Sequence, residues 1–301
     1  MEARGRITPF DAGLWSEAHV EPWAKITHFL KLHGAVPGIQ LAHAGRKAST
    51  ARPWDPGAGI ADADGGWEPV APSASAFAEG YRLPRELTAG EIAEIVQAVA
   101  EAAKRSYLAG FDWLELHAAH GYLMHEFLSP LSNQRTDDYG GAFENRIRFA
   151  LETTRAVHEV WPASKPLTIR LSCTDWTDGG WTDGGWTSDD SVALARRLKS
   201  EGVDLIDCST GGNVPHAQIP VGAGYQVPFS EAVKHGADIA TAAVGMITSP
   251  MQADEIIRNG RADIVLLARE SLRDPNWPIK AAADLHKKDK APVPVQYARA
   301  F

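Results

Sequence analysis

The segment His117-Ala118-Ala119-His120-Gly121-Tyr122, followed at short distance by His125, gathers three imidazoles and a phenol directly after the apolar run Phe111 to Leu116. Three readings fit those residue types. Histidines at such spacing bind zinc when further ligands join them, and Glu115 or Glu126 stands close in sequence. Imidazole N–H groups also donate to an electron-rich substrate oxygen. Beside them, a phenol with an ordinary pKa near ~10 keeps its proton at neutral pH and gives it only to a strong base such as a carbanion. The third reading is a polar loop without chemistry. Spacing alone leaves all three open.

The elements that must position these residues alternate. A helical stretch around Trp23 to Leu32 precedes the strand Gly38 to Ala42, and residues 44 to 86 read as a long loop rich in Pro, Gly, Trp and Ser. Thr88 and Glu91 form a capping box ahead of Ile92, Ile95, Val96, Val99 and Ala103, a helical spacing that Gly110 closes. Strands follow at Phe111 to Leu116, Leu167 to Leu171, Val203 to Asp207, Ile239 to Val244 and Ile264 to Leu267, with amphipathic stretches between them. Strands apolar on both faces and separated by helices predict a parallel sheet covered by helices. Gln40, His117, Arg170, Ser209, Gly245 and Arg269 each fall at or just past the C-terminal end of a different strand. Such convergence from many strand ends is the mark of a (β/α)8 TIM barrel and favours it over an open sheet. Six strands are legible, in one domain spanning residues 1–301.

Leu116 to Pro130, continuing into Asn133 to Gly141 and Glu144-Asn145-Arg146, resembles the centre of the Old Yellow Enzyme family of flavoproteins. Gly38 to Lys47, Val203 to Gly211, Ala243 to Ile247 and Arg269 to Pro275 match as well, and Pro294 to Arg299 is similar to the thermophilic-like branch that includes the bacterial xenobiotic reductases. The resemblance covers essentially the whole chain. It implies an FMN-dependent ene-reductase driven by NADPH, acting on the C=C bond of α,β-unsaturated carbonyl or nitro compounds. Carried over residue by residue, it implies that His117 and His120 hydrogen-bond the substrate oxygen and that Tyr122 protonates the α-carbon. Gln40 and Arg170 would contact the flavin ring, and Gly245, Ala268 and Arg269 its phosphate, with Ala268 standing where some relatives have glycine. Arg273 and Arg299 would contact substrate, Arg299 from a neighbouring subunit, which implies a homodimer or homotetramer. Arg273 also reads as half of a helix-start ion pair.

Relatives begin earlier, with a Ser-Pro-Met-Cys-type strand and a second strand that both serve the flavin. The expectation is therefore a barrel lacking a strand, a helix and a second strand, roughly sixty residues of a ~250-residue barrel. Many relatives have valine where this chain has Met1, so a GTG codon read as a start, or a truncation, is expected. Each buried backbone group left unpaired at an open edge costs ~1–3 kcal/mol, against a typical stability of ~5–15 kcal/mol. The alternative to an active enzyme is thus a flavin-free fragment or pseudoenzyme of the same family.

Composition sets the remaining bounds. The 301 residues are 44% hydrophobic and 23% charged with a formal net charge of -8, and no basic run exceeds the Lys287-Lys288 pair, which argues against a nucleic-acid surface. Two cysteines, Cys173 and Cys208, are too few for an iron–sulfur cluster or a four-cysteine zinc site and read as reduced, buried thiols. The polar N-terminus and the lack of a long apolar run predict a cytoplasmic protein without membrane contact. Trp54, Trp67 and Trp113 read as packing residues. The repeat Trp176 to Gly180 and Trp181 to Gly185 reads as a tandem duplication lengthening a loop, with a tryptophan-rich lid as the functional alternative.

Overall fold

Eight strands form in chain order in the computed structural model, which describes residues 2–177, 184–291 and 293–300. They are β1 (Gly38–Leu41), β2 (Val70–Ala71), β3 (Arg85–Glu86), β4 (Trp113–Ala118), β5 (Leu167–Ser172), β6 (Leu205–Ser209), β7 (Ala240–Ala243) and β8 (Ile264–Val265). Short β2 and β3 pair with each other inside the long 44–86 segment. The other six make one parallel sheet in the order β1-β4-β5-β6-β7-β8, curled into part of a barrel. The six-strand count read from the sequence is the count observed. The end strands β1 and β8 do not pair with each other among the described residues.

One face of the sheet is apolar because the residues that point to it are. Leu114 and Leu116 of β4, Leu167, Ile169 and Leu171 of β5, and Ile206 and Cys208 of β6 are buried in a single cluster. Ile92, Ile95, Val96 and Val99 of helix α2, Ala89–Leu108 by local bounds, join that cluster, as the helical spacing predicts. Each such aliphatic side chain contributes ~1.5–3 kcal/mol on burial. The capping box also forms. Thr88 accepts from the Glu91 N–H at 3.3 Å, and Glu91 accepts from the Thr88 N–H at 3.0 Å.

The opposite face departs from the expectation of strands apolar on both sides. Alternate residues there are Trp113, Glu115 and His117 of β4, Thr168, Arg170 and Ser172 of β5, and Asp207 and Ser209 of β6. Some pair with one another, while His117 Nδ1 and both Asp207 carboxylate oxygens have no hydrogen-bond partner among the described residues. Trp113 Nε1 donates to Thr168 Oγ1 at 3.0 Å, Gln40 Nε2 donates to Glu115 Oε1 at 2.7 Å, and Arg170 Nε lies 3.1 Å from Asp207 Oδ2. Polar groups are tolerated in an interior when they find such partners.

Three smaller expectations meet the structure differently. Trp67 donates from Nε1 to the Arg4 carbonyl and Trp113 packs inward, but Trp54 is 76% exposed with the Arg52 guanidinium 5.5 Å from its ring centroid, so it is no packing residue. Cys173 and Cys208 are buried and free, as expected. Of the tryptophan repeat, residues 178–183 lie outside the described residues. Trp186 just beyond it is fully buried, stacked on Phe143 at 5.9 Å and donating to Ser191 Oγ at 2.7 Å.

Candidate active site

β4 runs straight into the turn that carries the imidazoles and the phenol. Parallel pairing with β5 sets His117 beside Arg170, and the strand ends at Ala118. The chain then turns through His120 at φ 61° and Gly121 at φ 70° before helix α3 (Leu123–Leu128, in local order) begins after Tyr122. A left-handed backbone costs a residue with a Cβ ~1–2 kcal/mol, so the surroundings must impose it at His120. They do so from several loops. Ser172 Oγ accepts the His120 N–H at 2.9 Å while its own hydroxyl donates to the Gly211 carbonyl at 2.8 Å. The Lys47 ammonium donates to the His120 carbonyl at 2.8 Å and also to the Gly212 carbonyl. Gly121 and Gly212 make the close approach possible: a Cβ on Gly212 would sit 2.7 Å from the His120 Cα, and one on Gly121 would overlap the Gly212 carbonyl.

The result brings the predicted trio together. The His117 ring lies 5.1 Å from the His120 ring and 5.1 Å from the Tyr122 ring, edge to face in both cases. His117 Nδ1 is buried without a hydrogen-bond partner among the described residues. His120 Nε2 stands 2.7 Å from Ser209 Oγ. Burial, joined by the nearby His120 and Arg170, lowers His117 well below the usual imidazole range. Burial and then Arg170 lower His120 to about 3. Both are therefore neutral donors at physiological pH rather than cations. Burial raises the Tyr122 phenol above its ordinary value, so it too stays protonated.

His125 does not join them. Its Nδ1 accepts the Gly121 N–H at 2.9 Å, and its Nε2 faces Asp175 at 3.1 Å, both side chains fully buried. Glu115 is committed to Gln40 and Thr168, and Glu126 accepts the Arg46 N–H at 2.8 Å. The ligands that a zinc reading would recruit are thus turned elsewhere, and among the described residues no three His, Cys, Asp or Glu side chains are grouped to hold a metal ion.

Two cavities flank the trio. One, of about 300 Å³, is lined by His120, Arg170, Ser209, Gly245, Met246, Ala268, Arg269 and Arg273 with their neighbours. The other, of about 340 Å³, lies along β1 and is lined by Gln40, Tyr122, Trp15 and Trp23 among others. His120 and Tyr122 therefore face different cavities, with the His117 ring in contact with both residues. The predicted ring contacts divide in the same way, Arg170 on the first cavity and Gln40 on the second.

The first cavity fits a flavin phosphate. Gly245 has φ 124°, where a side chain is strained, and a Cβ there would crowd Gln226 at 3.1 Å, so the position calls for glycine. Arg269 is exposed at the start of the short helix Arg269–Arg273 and makes no ion pair among the described residues, so its charge is free for an anion. Arg273 is instead held by Glu270 at 2.7 Å, the ion-pair reading, although it lines the same cavity. Arg299 lies in an exposed turn, Val295–Ala300, away from the site of its own chain.

Several residues of the site carried no role in the sequence. Lys47, past β1, and Ser172, at the end of β5, reach the His120 backbone, and Asp175 faces His125 beside the turn; the β1–β4–β5 pairing brings the strands that carry them together. Asp207 is the buried partner of Arg170, and burial raises its carboxyl to about 7. Alternation along β6 is the one sequence signal that would have aimed Asp207 and Ser209 to the same side.

Comparison with known proteins shows the family and the fold. The model of the NADH:flavin oxidoreductase / NADH oxidase family matches residues 1–288. An NADPH dehydrogenase of Geobacillus sp. (strain WCH70) is 50% identical over the whole chain, which spans 81% of that protein. The NADPH dehydrogenase of Bacillus subtilis (strain 168) is 48% identical, with 82% of it spanned. Among solved structures, morphinone reductase superimposes with a TM-score of 0.75 at 26% identity, over 94% of this chain and 75% of that one. A 2-naphthoyl-CoA reductase superimposes with a TM-score of 0.81 at 27% identity, though the chain spans only 43% of its length. The chain belongs to the NADH:flavin oxidoreductase / NADH oxidase family.

Proposed function

We propose that this oxidoreductase, a single domain across residues 1–301, uses FMN and NADPH to reduce the C=C bond of α,β-unsaturated carbonyl or nitro compounds. The observation that carries the reading is the contact of two neutral, buried imidazoles with a protonated phenol, His117 lying 5.1 Å from each of the other two rings. FMN, when bound and reduced by NADPH, would supply the hydride that the β-carbon of the alkene takes up. The protein residues do the rest. His117 and His120 donate to the carbonyl or nitro oxygen and stabilise the charge that accumulates there. Neutral imidazoles suit the task, because a cation would lose its proton to an enolate. Tyr122 delivers the proton to the α-carbon. Gly245, Ala268 and Arg269 would hold the phosphate, and Gln40 and Arg170 would contact the ring. Arg273 and, from a neighbouring subunit, Arg299 complete the substrate pocket in a homo-oligomer. No helix among the described residues is long and apolar enough to cross a membrane, which supports a cytoplasmic location.

The test is a titration of the FMN-loaded protein with a para-substituted phenol, whose oxyanion mimics the enolate. Long-wavelength absorbance is expected to grow with a saturable dependence. Replacing both His117 and His120 with alanine is expected to weaken that binding by ~10²–10³-fold. Protein that takes up no FMN would overturn the reading in favour of the flavin-free alternative, which the end strands β1 and β8, unpaired with each other among the described residues, support.

A further inference from the structure

His125 serves neither the oxygen-binding pair nor a metal, yet it is fully buried beside the active turn. The Gly121 N–H donates to its Nδ1 at 2.9 Å. A ring nitrogen that accepts carries no proton, so neutral His125 holds its proton on Nε2. Asp175 Oδ1 lies 3.1 Å from that atom, within ion-pair distance but too far off the N–H line to count as a hydrogen bond, and both atoms are buried without a hydrogen-bond partner among the described residues. The carboxylate is itself pinned. Its Oδ2 accepts the Ser129 hydroxyl at 2.5 Å and the Trp186 N–H at 2.9 Å, and its own N–H donates to the Trp186 carbonyl at 3.0 Å. With Oδ2 occupied, Oδ1 is the acceptor left for His125.

We propose that Asp175 and His125 are positioning residues: the carboxylate fixes the imidazole tautomer, and the imidazole fixes the Gly121 amide and with it the left-handed turn that presents His120. The proposal rests on the role given above to His120. Trp186, which holds Asp175 by two hydrogen bonds of its backbone, is thereby linked to the active turn.

An Asp175→Asn variant puts the tautomer in question with little change of shape. Its oxygen is still needed by Ser129 and Trp186, so its NH2 turns toward His125 Nε2. The ring must then move its proton to Nδ1, where it meets the Gly121 N–H donor to donor. Nitrogen-15 spectra of ring-labelled, FMN-loaded protein are expected to show His125 with the proton on Nε2 in the wild type and on Nδ1 in Asp175→Asn. Phenol affinity should fall about tenfold in that variant, the worth of one hydrogen bond to a buried amide, with FMN content retained. Ser129→Ala removes another Asp175 contact without touching the tautomer, and it is expected to lower the melting temperature while leaving phenol affinity unchanged. If Asp175→Asn does not fold, His125→Asn, whose oxygen takes the Nδ1 place, is expected to bind phenol more tightly than His125→Leu. A wild-type proton on Nδ1, unchanged affinity in Asp175→Asn, or equal loss in both His125 variants would overturn the proposal. Wild type that binds FMN but no phenol would instead fault the function assigned to His120, while the spectra still decide the tautomer.

Discussion

The centre and the edge of the sheet are built by different rules. At the centre, β4, β5 and β6 are five or six residues long, and the turn after β4 is held by Lys47, Ser172 and His125 from three other parts of the chain. At the edge, β8 is two residues long, and the cavity beside it is lined by exposed Ala268, Arg269 and Arg273. The centre spends packing and hydrogen bonds on forcing an unfavourable backbone at His120. For the proposed phosphate role, the edge would need only backbone N–H groups and a cation, because an anionic phosphate brings its own strong acceptors. The proposed proton delivery would demand rigidity, whereas the proposed anchoring would tolerate exposure.

Four substitutions sharpen that contrast. Tyr122→Phe removes the proton donor and nothing else, so turnover of an enone is expected to drop by ~10²-fold or more while phenol titrations of the oxidised protein stay unchanged. Gly121→Ala attacks the central turn itself, where φ is 70° and an added Cβ overlaps the Gly212 carbonyl. A loss of ~2–4 kcal/mol in a urea melt is expected, the range for strained backbone combined with overpacking. Arg269→Gln at the edge should leave the melt unaffected and weaken FMN binding by about tenfold, measured by quenching of flavin fluorescence. If it destabilises the fold as much as Gly121→Ala does, the distinction between centre and edge fails.

The smallest effect concerns Glu126, which burial raises to about 8 despite the nearby Arg46 and Lys47. An unfolded glutamate titrates near ~4.3. Between those values the folded state keeps a proton that the unfolded state has released, so this group makes stability fall as pH rises across that window. Glu126→Gln removes the slope. Urea melts at acid, neutral and mildly alkaline pH should show the wild type losing stability faster than the variant, and parallel curves would mean that Glu126 is already ionised in the fold.

Much of this was legible in the residues. The spacing of Ile92, Ile95, Val96 and Val99 determined a helix face, because a helix turns about 100° per residue whatever surrounds it. The strand runs and the polar residues at their ends determined a parallel sheet with chemistry on one rim, and the His117 to Tyr122 segment announced the donors. Yet reading the strands as apolar on both faces passed over the polar inner face, although Thr168, Arg170 and Ser172 alternate with Leu167, Ile169 and Leu171 along β5. Arg273 carried the same residue type for a substrate contact and for its pairing with Glu270, and only the fold set it against Glu270. The sequence determined which groups are present and which local turns they favour. Tertiary structure alone decided that Lys47 and Ser172 meet the His120 backbone, that burial lowers both imidazoles below their usual range, and that His125 accepts the Gly121 N–H and faces Asp175. Contact, desolvation and tautomer depend on neighbours that lie far apart along the chain.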